Sequence, residues 1–158
     1  MSFFAETTLA KHLEALDQIG EIGSQYDAMY VLKYVFSNKK SIPDKAAQVI
    51  QKLMTKQPIK VMQHRFSDEG ENINSGYIQI AQEQFKRISS FEPKYAVHLY
   101  GLVSMNNSGY IREKALHYLE KVPSSEALPY LLLRLNDWVP QISAKALQVI
   151  DHKISMTG

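Results

Sequence analysis

Five histidines, sixteen carboxylates and nine tyrosines are the side chains with which this chain could hold a metal, move a proton or stack on a ligand. His12, His64, His98, His117 and His152 are scattered, and no two fall three or four apart as a helical metal pair requires. Glu113 and His117 are four apart, the spacing of an exposed ion pair on one helix face. Cysteine is absent, which removes disulfides and thiolate-held metals. No glycine-rich phosphate cradle and no serine elbow occurs, and no nucleophile is paired with a base. Asn106-Asn107-Ser108 matches a glycosylation sequon, which matters only in a secreted protein. These residues predict no catalytic group, no metal and no cofactor.

Charge offers a weaker hint. The net charge of +2 is too small to demand a polyanion. It is unevenly spread, with Lys39, Lys40, Lys45, Lys52, Lys56, Lys60 and Arg65 facing only Asp44 across residues 37–66. Residues 1–36 and 67–92 each carry five acids and two bases. Such blocks read as solvated surface first and as docking patches second. The start, Met1-Ser2-Phe3-Phe4-Ala5-Glu6, lacks the basic segment of a signal peptide, and no apolar run approaches the roughly 20 residues of a membrane span. The expectation is a cytoplasmic protein without a membrane partner.

The elements that would position these groups are helices throughout. Apolar residues recur with a period near 3.6, and no alternating run suggests a strand. The pattern predicts a first helix over 6–19, ended by Gly20 and Gly23, and a second from a capping box at Ser24-Gln25-Tyr26-Asp27 to about Ser37. A further box, Ser41-Ile42-Pro43-Asp44, opens the third. Pro43, Pro58, Pro93, Pro123, Pro129 and Pro140 all suit helix starts or connections. Helices are therefore expected near 44–57, 58–67, 76–90, 93–105, 109–122, 125–136 and 139–154. The polar stretch 67–75 reads as a loop, and the rhythm resumes after it, so residues 1–158 read as a single domain.

The chain also repeats itself. Lys45-Ala46-Ala47-Gln48-Val49-Ile50, Lys114-Ala115-Leu116-His117-Tyr118-Leu119 and Lys145-Ala146-Leu147-Gln148-Val149-Ile150 share a lysine, a small residue and helically spaced apolar positions. Ser75-Gly76-Tyr77-Ile78 returns as Ser108-Gly109-Tyr110-Ile111. Ala115 and Ala146 are 31 apart, and Ala46 and Ala115 are 69 apart, two units near 34. Aligning Ala81 on Ala115 sets Phe85 and Ile88 on Leu119 and Val122. A helical hairpin per unit of this length predicts an α-solenoid.

On these residues the chain resembles HEAT repeats in the short form common in bacterial proteins. Asn136-Asp137-Trp138-Val139-Pro140 resembles that family's turn into a first helix, and Ile111-Arg112-Glu113-Lys114-Ala115-Leu116 its hydrophobic-Arg-x-x-Ala-Leu helix. Leu128, Leu131, Leu132 and Leu135 fill the second-helix stripe. The arginine position is Ser143 in the last unit, a departure from the family pattern. The resemblance implies an all-α, HEAT-like α-solenoid (armadillo-type, an α-α superhelix) of about four and a half hairpins, covering most of residues 38–154. Tetratricopeptide repeats share the length, but their signature is missing. Among repeat enzymes, deoxyhypusine hydroxylases need His-Glu pairs that this chain lacks. DNA glycosylases of this class use an aspartate with several tryptophans. Here Trp138 is the single tryptophan, and Asp137 reads as a helix N-cap. Bilin-lyase relatives leave no mark of a pigment pocket.

In HEAT-like arrays the second helices line a concave face. The residues left off the buried stripe of those helices are Tyr30 and Tyr34, Lys60 and His64, Lys94 and His98, and Tyr130 and Arg134. They would form an aromatic and basic ribbon able to receive an acidic peptide or a nucleic-acid strand. Lys45, Lys52 and Lys56 form a separate basic stripe. The expected function is a non-catalytic scaffold binding another protein through that concave face, with nucleic-acid binding the alternative and a repeat enzyme third. Ile142, Leu147, Val149 and Ile150 point to more than one face of the last helix. They predict an uncovered apolar strip there, from either an interrupted array that continues beyond Gly158 or self-association through that helix.

Overall fold

The computed structural model describes residues 3–57 and 80–158, which form eight α-helices and no strand. The expected helix over 58–67, the loop at 67–75 and the Ser75–Ile78 phrase lie outside the described residues. The chain divides into two compact units, Met1–Pro58 and Ile59–Gly158.

In the first unit α1 spans Phe3–Ile22, α2 Asp27–Leu32 and α3 Ile42–Met54, with a 3-10 turn at Lys33–Phe36 after α2. Helix α3 packs against both α1 and α2. Its Ala46, Val49, Ile50 and Leu53 are buried with Leu16 of α1 and Ala28, Val31 and Leu32 of α2. That stripe, at spacings of three and four, is what the lysine-alanine phrase encodes. Gly20 does not end α1 but lies inside it. A Cβ there would sit 3.4 Å from Val49 Cγ2, an ordinary contact, so the helix tolerates this glycine without needing it. Termination falls to Gly23, where a side chain would overlap the Ile19 carbonyl.

The two capping boxes fare differently. Ser24 N–H donates to Asp27 Oδ2 at 2.7 Å, the reciprocal half of a box. Ser41 makes no side-chain cap; it adopts φ 71°, the left-handed region, and α3 starts directly after it.

In the second unit α4 spans Gln82–Ile88, α5 Pro93–Val103, α6 Gly109–Lys121, α7 Leu128–Arg134 and α8 Pro140–Thr157, with a 3-10 turn at Ser125–Ala127. Helix α5 packs on α4, α6 and the 3-10 turn, while α8 packs on α6 and α7. Every residue from Ala96 to Met105 is buried, so α5 is a core helix covered all round. Phe85, Tyr100 and Tyr118 stack in sequence, with centroids 5.1 Å and 4.9 Å apart about Tyr118. The Tyr100 hydroxyl donates to the Phe85 carbonyl at 2.8 Å, and burial pushes it up to about 12. Ala115 and Ala146 are fully buried, as Ala46 is. Ala81 breaks that register: it is exposed and precedes α4, although Phe85, Ile88, Leu119 and Val122 are all buried as aligned.

Candidate interaction surface

The polar centre of the second unit is Arg112, 1% exposed on α6. Its Nε and Nη2 donate to both oxygens of Asp137, at 2.8 and 2.9 Å, in a bidentate fork. Nη1 donates to the carbonyls of Asn106 and Asn107 at 3.0 and 2.8 Å, closing the loop before α6. Asp137 Oδ1 also accepts the Val139 N–H at 3.0 Å, and Oδ2 accepts from Arg134 Nη1 at 3.2 Å. Burial alone would raise the Asp137 carboxyl; Arg112, the Val139 amide and Arg134 outweigh it and hold the group below the usual range. So the aspartate does more than cap a helix: it locks the start of α8 onto α6.

The guanidinium of Arg112 has a second partner. The Trp138 ring centroid lies 4.2 Å from its central carbon, a cation–π stack. Trp138 is nonetheless 75% exposed. Next to it, a Cβ on Gly109 would lie 3.9 Å from Val139 Cγ2, so Tyr110 and Trp138 sit on neighbouring helix starts. Tyr110 is 87% exposed. The Trp138 ring thus stands in solvent on a rigid polar base, and the Tyr110 ring is exposed at the neighbouring helix start.

The aromatic and basic ribbon does not form as expected. His98 and Tyr130, each 3% exposed, are core residues. The Tyr130 hydroxyl and His98 Nδ1 share a bond of 2.8 Å, and their rings meet edge to face. His98 Nε2 lies 3.2 Å from Glu126 Oε2, close but poorly aligned for a hydrogen bond. Burial lowers the His98 pKa, with Glu126 opposing, and burial raises that of Tyr130. His98 lies inside because α5 is covered on all sides from Ala96 onward, and Tyr130 of α7 lies inside because its ring packs against α5 at Gly101. Lys94 stays at the surface beside Glu92 and the Tyr95 ring. Arg134 is drawn to Asp137, Tyr34 is half-buried beside Lys33, and Tyr30 is exposed. Lys60 and His64 lie outside the described residues.

The basic stripe is likewise absorbed within the fold. Lys45 Nζ pairs with Asp17 at 2.8 Å, and Lys52 pairs with Glu21. Lys56 Nζ donates to the carbonyls of Gly20, Glu21 and Gly23 at 2.9, 3.1 and 3.0 Å, capping the end of α1. The stripe lies against α1 because α1 offers acids and free carbonyls at matching spacing. The other lysine phrases act alike. Lys114 donates to Gln82 of α4, Lys145 to Glu120 of α6 at 2.7 Å, and Lys153 to the Val122 carbonyl at 2.7 Å. Each lysine-alanine helix is therefore tied to a helix two earlier among the described helices.

No family model, curated protein or solved structure matches the chain.

Among the described residues no helix is long and apolar enough to cross a membrane, and no three His, Asp or Glu side chains are grouped to hold a metal ion. Sequence reasoning missed two structural groups. Buried Gln25 donates from Nε2 to the Met54 and Gln57 carbonyls at 3.3 and 2.9 Å, capping α3 from a loop. The Arg112–Asp137 lock joins two motifs quoted separately, and no signal in the sequence paired them. Of the apolar strip expected on α8, Ile142, Val149 and Ile150 are buried. Leu147 remains outside, joined by Ile154 and Met156.

Proposed function

We propose that the chain is a HEAT-like α-solenoid scaffold, non-catalytic, that binds another protein through exposed aromatic side chains at its helix starts. The observation that carries this reading is Trp138: three-quarters exposed, yet held against Arg112 by a fully paired guanidinium. A rigid aromatic side chain costs little entropy on binding, and tryptophan is enriched among the residues that dominate interfaces. Tyr110, exposed at the neighbouring helix start, is a second aromatic side chain of this kind. The concave ribbon is replaced as the contact surface, because His98 and Tyr130 belong to the core. Nucleic-acid binding is weakened as an alternative, since Lys45, Lys52 and Lys56 are committed to α1.

The test is affinity capture with cross-linking from native lysate, comparing wild type with Trp138→Ser and with Tyr110→Ser. Proteins retained by wild type and lost with Trp138→Ser, at unchanged far-UV circular dichroism, support the reading. Retention by both variants equal to that of wild type overturns it. A parallel titration with single-stranded oligonucleotide at rising salt should be flat, whereas a steep fall in affinity would favour phosphate binding.

A further inference from the structure

The way α8 sits on α6 supplies a template for what α8 itself can receive. On α6, Glu120 accepts Lys145 at 2.7 Å and lies 3.2 Å from His152, both on α8. Those contacts hold the Glu120 carboxyl below its usual range, the hydrogen bond from Lys145 foremost. Leu116, one turn earlier on the same face of α6, is fully buried. Moving 31 residues along, the interval between Ala115 and Ala146, turns Leu116 into Leu147 and Glu120 into Asp151.

At about 100° per residue, Leu147, Asp151 and Ile154 share one side of α8, opposite Lys145, Val149 and His152. Leu147 is 52% and Ile154 58% exposed, and Asp151 is exposed between them. So α8 presents the same apolar-and-acid face that α6 offers to α8, with the carboxylate again in the middle.

We infer that this face of α8 is a docking site for an amphipathic helix of a partner protein carrying a lysine, a small residue after it, and apolar residues four and five places on. The chemistry is set by the two junctions of this kind, α3 on α1 and α8 on α6, where an arriving helix gives a lysine to a carboxylate and a second lysine to free carbonyls. A second copy is a poor occupant. Antiparallel pairing of two α8 faces would bring Asp151 against Asp151 near the dyad, and like charges oppose that contact. The lysine-alanine helices among the described residues already use their lysines internally. The proposal rests on the protein-binding reading above but names a different surface.

The probe is a fluorescein-labelled, helix-stapled peptide with the sequence of residues 140–157, titrated onto the full chain and followed by anisotropy. Saturable binding is expected, weakened by at least about tenfold in Asp151→Lys and in Leu147→Asp. A peptide carrying Glu in place of the lysine matching Lys145 should bind Asp151→Lys better than wild type. Binding that responds to Glu120→Lys but not to Asp151→Lys means the peptide has displaced α8 from α6, and overturns the inference. So does the absence of saturable binding. So does concentration-dependent dimerisation of the chain, abolished by Ile154→Glu, in sedimentation. If the peptide fails while Trp138-dependent capture persists, this inference alone falls. If both fail, the protein-binding reading falls with it.

Discussion

At the scale of single residues, the second unit depends on side chains whose value lies in what surrounds them. Arg112 satisfies two carbonyls and both oxygens of Asp137 while burying its own charge. Removing one partner of a buried pair strands the other, so Arg112→Leu is expected to cost about 3–5 kcal/mol in urea unfolding. Because Trp138 is the single tryptophan and lies on the guanidinium, its emission should also shift in the folded variant. Unchanged stability and emission would show that the lock carries no weight. Glycines make a second, opposed pair. A Cβ on Gly101 would overlap the Tyr130 ring, so Gly101→Ala should destabilise by about 1–3 kcal/mol. Gly20→Ala meets only ordinary contact with Val49, within a helix, and should be neutral or stabilise by up to about 1 kcal/mol. Equal effects in the two variants would refute the packing argument.

At the scale of elements, the recurring unit is a helix that brings both its apolar stripe and its lysine to an earlier helix. Ala46, Ala115 and Ala146 are fully buried at the same place in that phrase. Ala115→Leu and Ala146→Leu should each lower stability by about 1–3 kcal/mol through overpacking. A pair of variants that melts with the wild type would break the register. Lys45 and Lys52 contribute less, because their ion pairs are exposed and water screens them. Lys56 differs in kind, since it covers three carbonyls at the end of α1. Lys56→Met should therefore destabilise the first unit by about 0.5–1 kcal/mol, and more than Lys45→Met does; the reverse order would count against capping.

At the scale of the whole molecule, the buried titratable groups make acid the condition that should unfold it. Burial lowers the folded pKa of His98 below 6.5, so the unfolded chain binds its proton more readily. The stability that neutral His98 contributes is complete above about pH 6.5, and is lost as pH falls through that value towards the lower folded pKa. Asp137 is also depressed, below 3.8, so its contribution holds above that value and disappears as pH falls further. Denaturant titrations between pH 7.5 and pH 3 should show stability declining in two stages, the first near pH 6. A curve flat from pH 7 to pH 5 would mean that His98 is not held neutral by the fold.

The all-helical class, the proline-marked starts of α3, α5 and α8 and the burial of the three phrase alanines were legible in the sequence, because each rests on local periodicity or on proline's missing amide. The sides of helices that face solvent were not. His98 and Lys94 are four apart on α5, but one is core and the other surface, because neighbours cover α5 from Ala96 onward. Lys45, Lys52 and Lys56 read as a free stripe until α1 supplied Asp17, Glu21 and its last carbonyls. Asp137 read as a cap until Arg112, 25 residues away, took both its oxygens. Periodicity states that a face is apolar or charged. Which partner meets that face depends on packing between segments distant in the chain, and so only the tertiary structure decided where charge is spent and where aromatic surface is left open.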